Sequence, residues 1–130
     1  MSSSLVKPWA VLSGVILVVV GLLGFIDNPI VGKAGGALVS TNELHNLVHI
    51  LTGVVALWIG YGLRGAPQAT AMVGFGALYT IVLLATLVSP DLFGLFAGYA
   101  AGPAEHLIHG GLAVVSIAVG LMGRPSMAEA

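Results

Sequence analysis

The sequence predicts an all-α membrane protein with four transmembrane helices, folded as a single domain over residues 1–130. Hydrophobic residues make up 58% of the chain and charged residues only 7%, and the mean hydropathy is +1.07. A soluble domain usually carries about 25% charged residues, so this chain has too few charges to cover a water-facing surface. In addition, four apolar segments have roughly the 20 residues that cross the hydrocarbon core of a bilayer.

The predicted spans cover residues of about 8–26, 42–63, 67–88 and 104–122. Ser40-Thr41-Asn42-Glu43 resembles a capping box ahead of the second span. Pro125 is predicted to lie just past the end of the fourth helix, because proline favours that place. Three other prolines fall at or near predicted first turns, where a missing N–H costs little: Pro8, Pro67 and Pro103.

The few charges predict an orientation in the membrane. An up-down arrangement of four spans puts Lys7, Arg64 and Arg124 on one side, whereas Lys33 shares the other side with most of the acidic residues. Because basic loops favour the cytoplasm, we expect both termini to lie in the cytoplasm, with the chain embedded in a bacterial inner membrane. The formal net charge of −1 offers no basic surface for nucleic acid.

All four histidines occur as two pairs, each near the start of a predicted span. His45 and His49 begin the second span, and Glu105, His106 and His109 begin the fourth. Residues three or four apart share one face of a helix, so each group projects to one side. Ionisable groups inside membrane helices are costly and usually have a partner or a function. These five residues are therefore the predicted site.

The two histidine segments also resemble each other in sequence. Leu47-Val48-His49 corresponds to Leu107-Ile108-His109, and the likeness extends to Gly60 and Gly120. The first and third spans match only weakly in the same alignment, most visibly at Gly14 and Gly74. The pattern predicts two helical hairpins related as parallel repeats about an axis along the membrane normal. If the second and fourth helices meet at that axis, His49 faces His109.

Two further expectations concern packing and the loops. Small residues let membrane helices approach closely, and the connections over residues of about 27–41 and 89–103 are long enough to fold over the histidines. The small residues expected at helix contacts are Gly14, Gly21, Gly24, Gly53, Ala56, Gly60, Gly74, Gly110, Gly111 and Gly120.

The predicted site admits four chemical interpretations. In the first, the side chains form structural hydrogen bonds between helices. In the second, they bind zinc, copper, iron or nickel. The ligands would be His45, His49, His106 and His109, with Glu105 as a fifth ligand or orienting group. Alternatively, His49 and His109 are axial ligands of a haem, or the imidazoles belong to a proton or small-solute path. No serine or carboxylate stands in a nucleophile–base arrangement, so no catalytic residue is predicted.

The segment Asn42-Glu43-Leu44-His45-Asn46-Leu47-Val48-His49-Ile50-Leu51-Thr52-Gly53 resembles the signature of a bacterial multi-pass family described as domain of unknown function 4383. The resemblance implies four spans and a second, weaker histidine signature in the last, here Glu105-His106-Leu107-Ile108-His109. The fourth span lacks the asparagine expected one turn before its histidines. We therefore expect a non-enzymatic bundle in the lipid bilayer that binds a metal or serves in a larger complex or homo-oligomer, with a small redox protein as the alternative.

Overall fold

Four helices form the fold, which is described here from a computed structural model covering residues 5–26, 28–32, 37–95 and 101–129. The helices are α1 (Val6–Leu23), α2 (Glu43–Gly62), α3 (Gly65–Val88) and α4 (Pro103–Glu129). Each contains a segment long and apolar enough to cross a membrane, which in α4 ends at Gly123. The prediction of an all-α, four-span membrane protein is confirmed.

Two details of the helix ends differ from the predictions. The N-cap of α2 is Asn42, whose Oδ1 accepts a hydrogen bond from the His45 backbone N–H at 2.8 Å. Ser40 is therefore not the cap, because the helix begins two residues later than a Ser40–Glu43 box would require. Pro125 lies within α4 rather than beyond it. A proline in a helix removes one backbone hydrogen bond, and α4 continues to Glu129 despite this loss.

Close packing occurs within two hairpins, α1 with α2 and α3 with α4. Glycine makes this approach feasible: a Cβ added to Gly14 would lie 2.8 Å from the backbone oxygen of Gly53. On the other hairpin, a Cβ at Gly76 would lie 2.9 Å from the backbone oxygen of Ala113. Such contacts replace the hydrophobic driving force, which is absent between helices in lipid.

These contacts define the internal repeat and correct its register. Gly53 and Ala113 are 60 residues apart, as predicted, but their partners Gly14 and Gly76 are 62 residues apart. The predicted match of Gly14 with Gly74 is wrong, because a Cβ at Gly74 would meet nothing within 4 Å. Buried positions repeat with the same two separations. The separation of 60 residues between α2 and α4 is termed the α2/α4 offset, and the separation of 62 residues between α1 and α3 is termed the α1/α3 offset.

Most of the other glycines predicted to mark contacts do so. A Cβ at Gly21, Gly60 or Gly120 would lie within 3.0 Å of the neighbouring helix. Gly111 has open space around it, and Gly110 would meet only a Leu83 side-chain carbon at 3.7 Å. The presence of glycine in a helix does not show whether it packs against another helix, because the same helices also contain glycines on their lipid-facing surface.

A two-residue turn joins the hairpins, and Gln68 fastens it. Gln68 is buried, and its Nε2 donates to the backbone oxygens of Ile59 at 3.1 Å, Gly60 at 3.1 Å and Leu63 at 2.9 Å. The Ile59 and Gly60 oxygens belong to the last turn of α2 and the Leu63 oxygen to its C-cap, and carbonyls at a helix C-terminus have no partner within the helix. One side chain at the start of α3 thus holds the end of α2.

The connections within the hairpins lie at the opposite end of the bundle, termed the loop end. The α1–α2 loop contains two short parallel strands, β1 (Val31–Gly32) and β2 (Val39–Ser40). The described part of the α3–α4 loop is a turn, and the Asn42 Nδ2 donates to its Leu95 oxygen at 3.1 Å. Asp27 and Lys33, on which part of the predicted orientation depends, lie outside the described residues.

The contact between α2 and α4 differs from the expectation. These helices are not among the closely packed pairs; backbone contact between the hairpins is sparse and runs mainly through α1–α4, α2–α3 and α1–α3. The reason is that the small residues of α2 and α4 are used inside the hairpins, against α1 and α3. Only side chains are therefore left to fill the region between the hairpins.

Candidate functional site

On α2, the Asn42 cap starts the helix so that His45 and His49 point into the bundle. Both side chains are buried, with 2% and 7% of their surface exposed. Because they are four residues apart, their rings stand one above the other with centroids 4.4 Å apart and planes inclined by 54°. The local sequence thus produces an imidazole pair at the loop end of the second helix.

On α4, Glu105 and His109 take the equivalent positions. Glu105 corresponds to His45 and His109 to His49 at the α2/α4 offset, and both are buried. His106 is half-buried and corresponds to Asn46, whose side chain is fully buried against Gly24. The two halves therefore share a histidine at one level but place an imidazole and a carboxyl group at the other.

Two cavities lie beside these residues, in the gaps between the hairpins. The first, termed the α1/α4 cavity, has a volume of about 220 Å³. Leu17 and Val20 of α1 form one wall, and Val31 and Val39 of the α1–α2 loop close the loop end. Its polar lining includes His49, Glu105 and His109, with Ser13 nearer the other end.

The second, termed the α2/α3 cavity, has a volume of about 210 Å³. Tyr79 and Val82 of α3 form one wall, and Leu92 and Leu95 of the α3–α4 loop lie at the loop end. His45, His49 and Thr52 of α2 and His109 of α4 complete the polar lining. The expectation that both loops fold over the histidines is confirmed for their described parts.

The two cavities are related by the internal repeat. Leu17 and Val20 in the first correspond to Tyr79 and Val82 in the second at the α1/α3 offset. Glu105 corresponds in the same way to His45 at the α2/α4 offset. The hairpins thus enclose one cavity on each side of the pseudo-symmetry axis.

His49 and His109 line both cavities, and each histidine has a ring nitrogen that is not used in a hydrogen bond within the described part of the chain. The Nδ1 atoms of His49 and His109 are buried without a hydrogen-bond partner among the described residues. An unsatisfied buried polar group costs roughly 1–3 kcal/mol. A ligand carrying a complementary polar group would recover part of that cost, so these nitrogens are suited to binding.

Thr52 and Tyr79 belong to the site, although their sequence context did not single them out. The Tyr79 hydroxyl lies 2.8 Å from Thr52 Oγ1, and the Tyr79 and His109 ring centroids are 5.9 Å apart. Thr52 follows His49 by three residues, which puts it on the same face. The equivalent of Tyr79 at the α1/α3 offset is Leu17, which carries no polar group, so no repeated pattern marked Tyr79.

A family model described as domain of unknown function (DUF4383) matches residues 7–122. The chain belongs to this family. The match includes α2, α3, the membrane-spanning part of α4 except its last residue, and every cavity-lining residue named above. No curated protein and no solved structure matches the chain. Family membership therefore supports the four-span architecture and assigns no activity to the cavities.

The five residues predicted as a site do not all line one cavity. Among the described residues, no three His, Asp or Glu side chains form a group that could hold a metal ion. His45, His49 and His109 line the α2/α3 cavity, and Glu105 joins His49 and His109 at the other; His106 lines neither. Metal ligation and haem ligation both remain predictions. Each cavity is also smaller than the roughly 300–1,000 Å³ of pockets for drug-sized ligands.

Proposed function

We propose that the protein is a non-enzymatic membrane module that binds a small, mainly apolar molecule in the two cavities beside His49 and His109. The observation that carries this proposal is the position of the His49 and His109 imidazoles between two apolar cavities of about 220 and 210 Å³. Membrane cavities of this kind suit a molecule that reaches them from the bilayer. The polar atoms at the centre then fix its orientation.

The cavity volumes limit the size of the ligand. An apolar cavity of about 150 Å³ in a soluble protein holds benzene, and each cavity here is somewhat larger. A single substituted ring, or an apolar chain of similar volume, fits this space. Larger cofactors would require the hairpins to separate.

A transition metal is the second candidate, favoured by the uncommitted imidazole nitrogens. The Nδ1 atoms of His49, His106 and His109 lack hydrogen-bond partners among the described residues, and imidazole binds zinc, copper, iron and nickel. Binding would require side-chain rotation to bring three ligands together. Elemental analysis of protein purified without chelator or affinity tag tests this candidate: a stoichiometric metal lost in a His49→Ala/His109→Ala variant would establish it.

The proposal also includes a location and a setting. We place the chain in the bacterial inner membrane with both termini in the cytoplasm, which puts the loop end and both cavities towards the outer side. Lys7, whose ammonium lies 5.3 Å from the Tyr61 ring centroid at the opposite end, supports this orientation through the positive-inside preference. In that position the module could act within a larger complex or a homo-oligomer.

Ligand binding can be measured by ¹⁹F NMR of 4-fluorotoluene with the protein in lipid nanodiscs. Partition into lipid rises in proportion to the amount of probe, so a bound resonance that saturates as 4-fluorotoluene is added at fixed protein concentration, and is absent from empty nanodiscs, reports the cavities. Val20→Phe should fill the α1/α4 cavity and Val82→Phe the α2/α3 cavity, because each side chain lines the one named. Each variant should remove about half of the saturable signal.

Neighbouring residues provide matched controls for these variants. Val19 and Ile81 are adjacent in sequence to Val20 and Val82, but 53% and 64% of their side chains are exposed on the lipid-facing surface. Val19→Phe and Ile81→Phe should therefore leave binding unchanged. The proposal fails if wild-type protein gives no saturable resonance, or if the filling variants bind like the controls.

A further inference from the structure

Besides the exchange of His45 for Glu105, the two cavities differ in chemistry at a second level of the bundle. The α2/α3 cavity presents Thr52 and Tyr79, joined by a hydrogen bond of 2.8 Å. In the α1/α4 cavity the equivalent residues are Leu112 and Leu17. The shape of the cavity is thus repeated, while a pair of hydroxyl groups is confined to one half.

The direction of the hydroxyl hydrogen bond follows from the number of protons. Thr52 Oγ1 has a single proton, and it donates to the Val48 backbone oxygen at 2.9 Å, with the His49 oxygen also near at 3.2 Å. Threonine commonly bonds back to the preceding turn of a membrane helix in this way. Tyr79 must therefore donate its own proton to Thr52. The Tyr79 oxygen is left with lone pairs and no proton to offer.

A cavity wall with an acceptor and no spare proton discriminates between ligands. A hydroxyl group brought from lipid needs an acceptor, because burying it without a hydrogen bond costs free energy. A carbonyl group would need a donor, which the Tyr79–Thr52 pair does not have. The ring of His109 is in contact with that of Tyr79, with centroids 5.9 Å apart, so a ligand lies beside this pair, in the cavity of about 210 Å³ that both residues line.

We propose, on the basis of the binding function above, that the α2/α3 cavity is selective for a small ring compound bearing a hydroxyl group, which donates to the Tyr79 oxygen. The α1/α4 cavity has Leu17 and Leu112 at that level and therefore offers no hydroxyl acceptor there. The protein therefore contains two binding sites of similar shape and different ligand class.

The test compares 4-fluorophenol with 4-fluorotoluene by ¹⁹F NMR in nanodiscs, using the Val20→Phe background so that only the α2/α3 cavity is open. Tyr79→Phe should weaken 4-fluorophenol about threefold to tenfold, the range expected for one neutral hydrogen bond, and leave 4-fluorotoluene unchanged. The control is Tyr61→Phe, since Tyr61 is 67% exposed near the other end of α2. Equal losses for both probes, or no loss for 4-fluorophenol, would overturn the proposal.

A second variant separates hydrogen bonding from packing. Thr52→Val keeps the shape of the side chain and removes the acceptor of the Tyr79 proton, so Tyr79 becomes free to donate. Binding of 4-fluorobenzaldehyde, which accepts but cannot donate, should then strengthen relative to 4-fluorophenol; an unchanged ratio would contradict the assigned direction. Saturable binding of 4-fluorotoluene with no preference for 4-fluorophenol rejects only this inference. Absence of saturable binding by both probes rejects the proposed function as well.

Discussion

His49 and His109 occupy equivalent positions in α2 and α4, and each lines both cavities between the hairpins. Neither histidine belongs to a single cavity, because each extends from its own helix to the boundary between the two halves. A substitution at either residue should consequently change the lining of both cavities, whereas a substitution at Val20 or Val82 changes the lining of one.

The register of the repeat can be tested with a matched pair of glycines on one helix. Gly76→Ala should destabilise the protein by about 1–3 kcal/mol, the usual cost of overpacking, because its new Cβ would lie 2.6 Å from an Ile117 side-chain carbon and 2.8 Å from the Ile117 backbone nitrogen. Gly74→Ala should be neutral or slightly stabilising, since nothing lies within 4 Å. Unfolding by SDS in mixed micelles measures both, and equal midpoints would reject the α1/α3 offset.

Asn42 combines two roles that substitutions can separate. Asn42→Ala should lower the free energy of unfolding by roughly 0.5–2 kcal/mol, the usual cost of a lost N-cap. Asn42→Asp keeps the acceptor for the His45 N–H but loses the donor to the Leu95 oxygen. It should leave α2 stable while increasing hydrogen exchange in the α3–α4 loop. If Asn42→Asp is as unstable as Asn42→Ala, the cap does not stabilise the helix as described.

The proposed orientation predicts where single cysteines react. The chain has no cysteine, so Phe93→Cys in the α3–α4 loop and Ala66→Cys in the first turn of α3 provide unique labels at opposite ends. Both residues are exposed. A membrane-impermeant maleimide applied to intact cells should label Phe93→Cys, and should label Ala66→Cys only after permeabilisation. The reverse pattern would place the termini outside.

The difference between the cavities should be transferable. A Leu17→Tyr/Leu112→Thr variant would place a hydroxyl pair in the α1/α4 cavity at the positions equivalent to Tyr79 and Thr52. In a Val82→Phe background, this variant should gain a preference for 4-fluorophenol over 4-fluorotoluene. Leu17→Phe/Leu112→Val is the control of similar volume without hydroxyls. Indistinguishable probe preferences in the two variants would show that hydroxyl groups at this level do not select the ligand.

The sequence predicts some parts of this molecule well because their determinants are local. The four apolar segments and the histidine at equivalent positions of α2 and α4 follow from residue type and spacing. The α1/α3 offset does not, because it pairs Leu17 with Tyr79 and Val18 with Thr80, and few identical residues reveal it. Gly74 is a misleading match, since the sequence does not distinguish a lipid-facing glycine from one packed between helices.

The cavities themselves could not be predicted from residue types. Their volume depends on how far apart the hairpins stand, and that distance depends on side chains meeting between elements distant in sequence. Glu105 and His106 show the limit: they are adjacent in sequence, yet Glu105 lines the α1/α4 cavity and His106 lines neither cavity. Successive helix residues point about 100° apart, which is enough to place Glu105 in the cavity wall and His106 outside it.

The sparse backbone contact between the hairpins has a consequence for how the two cavities respond to each other. The glycine contacts hold α1 to α2 and α3 to α4, so a small displacement of one hairpin against the other leaves those contacts intact and changes the volume of both cavities. Filling one cavity should therefore alter the affinity of the other. By thermodynamic linkage the effect is reciprocal, and each ligand changes the binding of the other by the same factor.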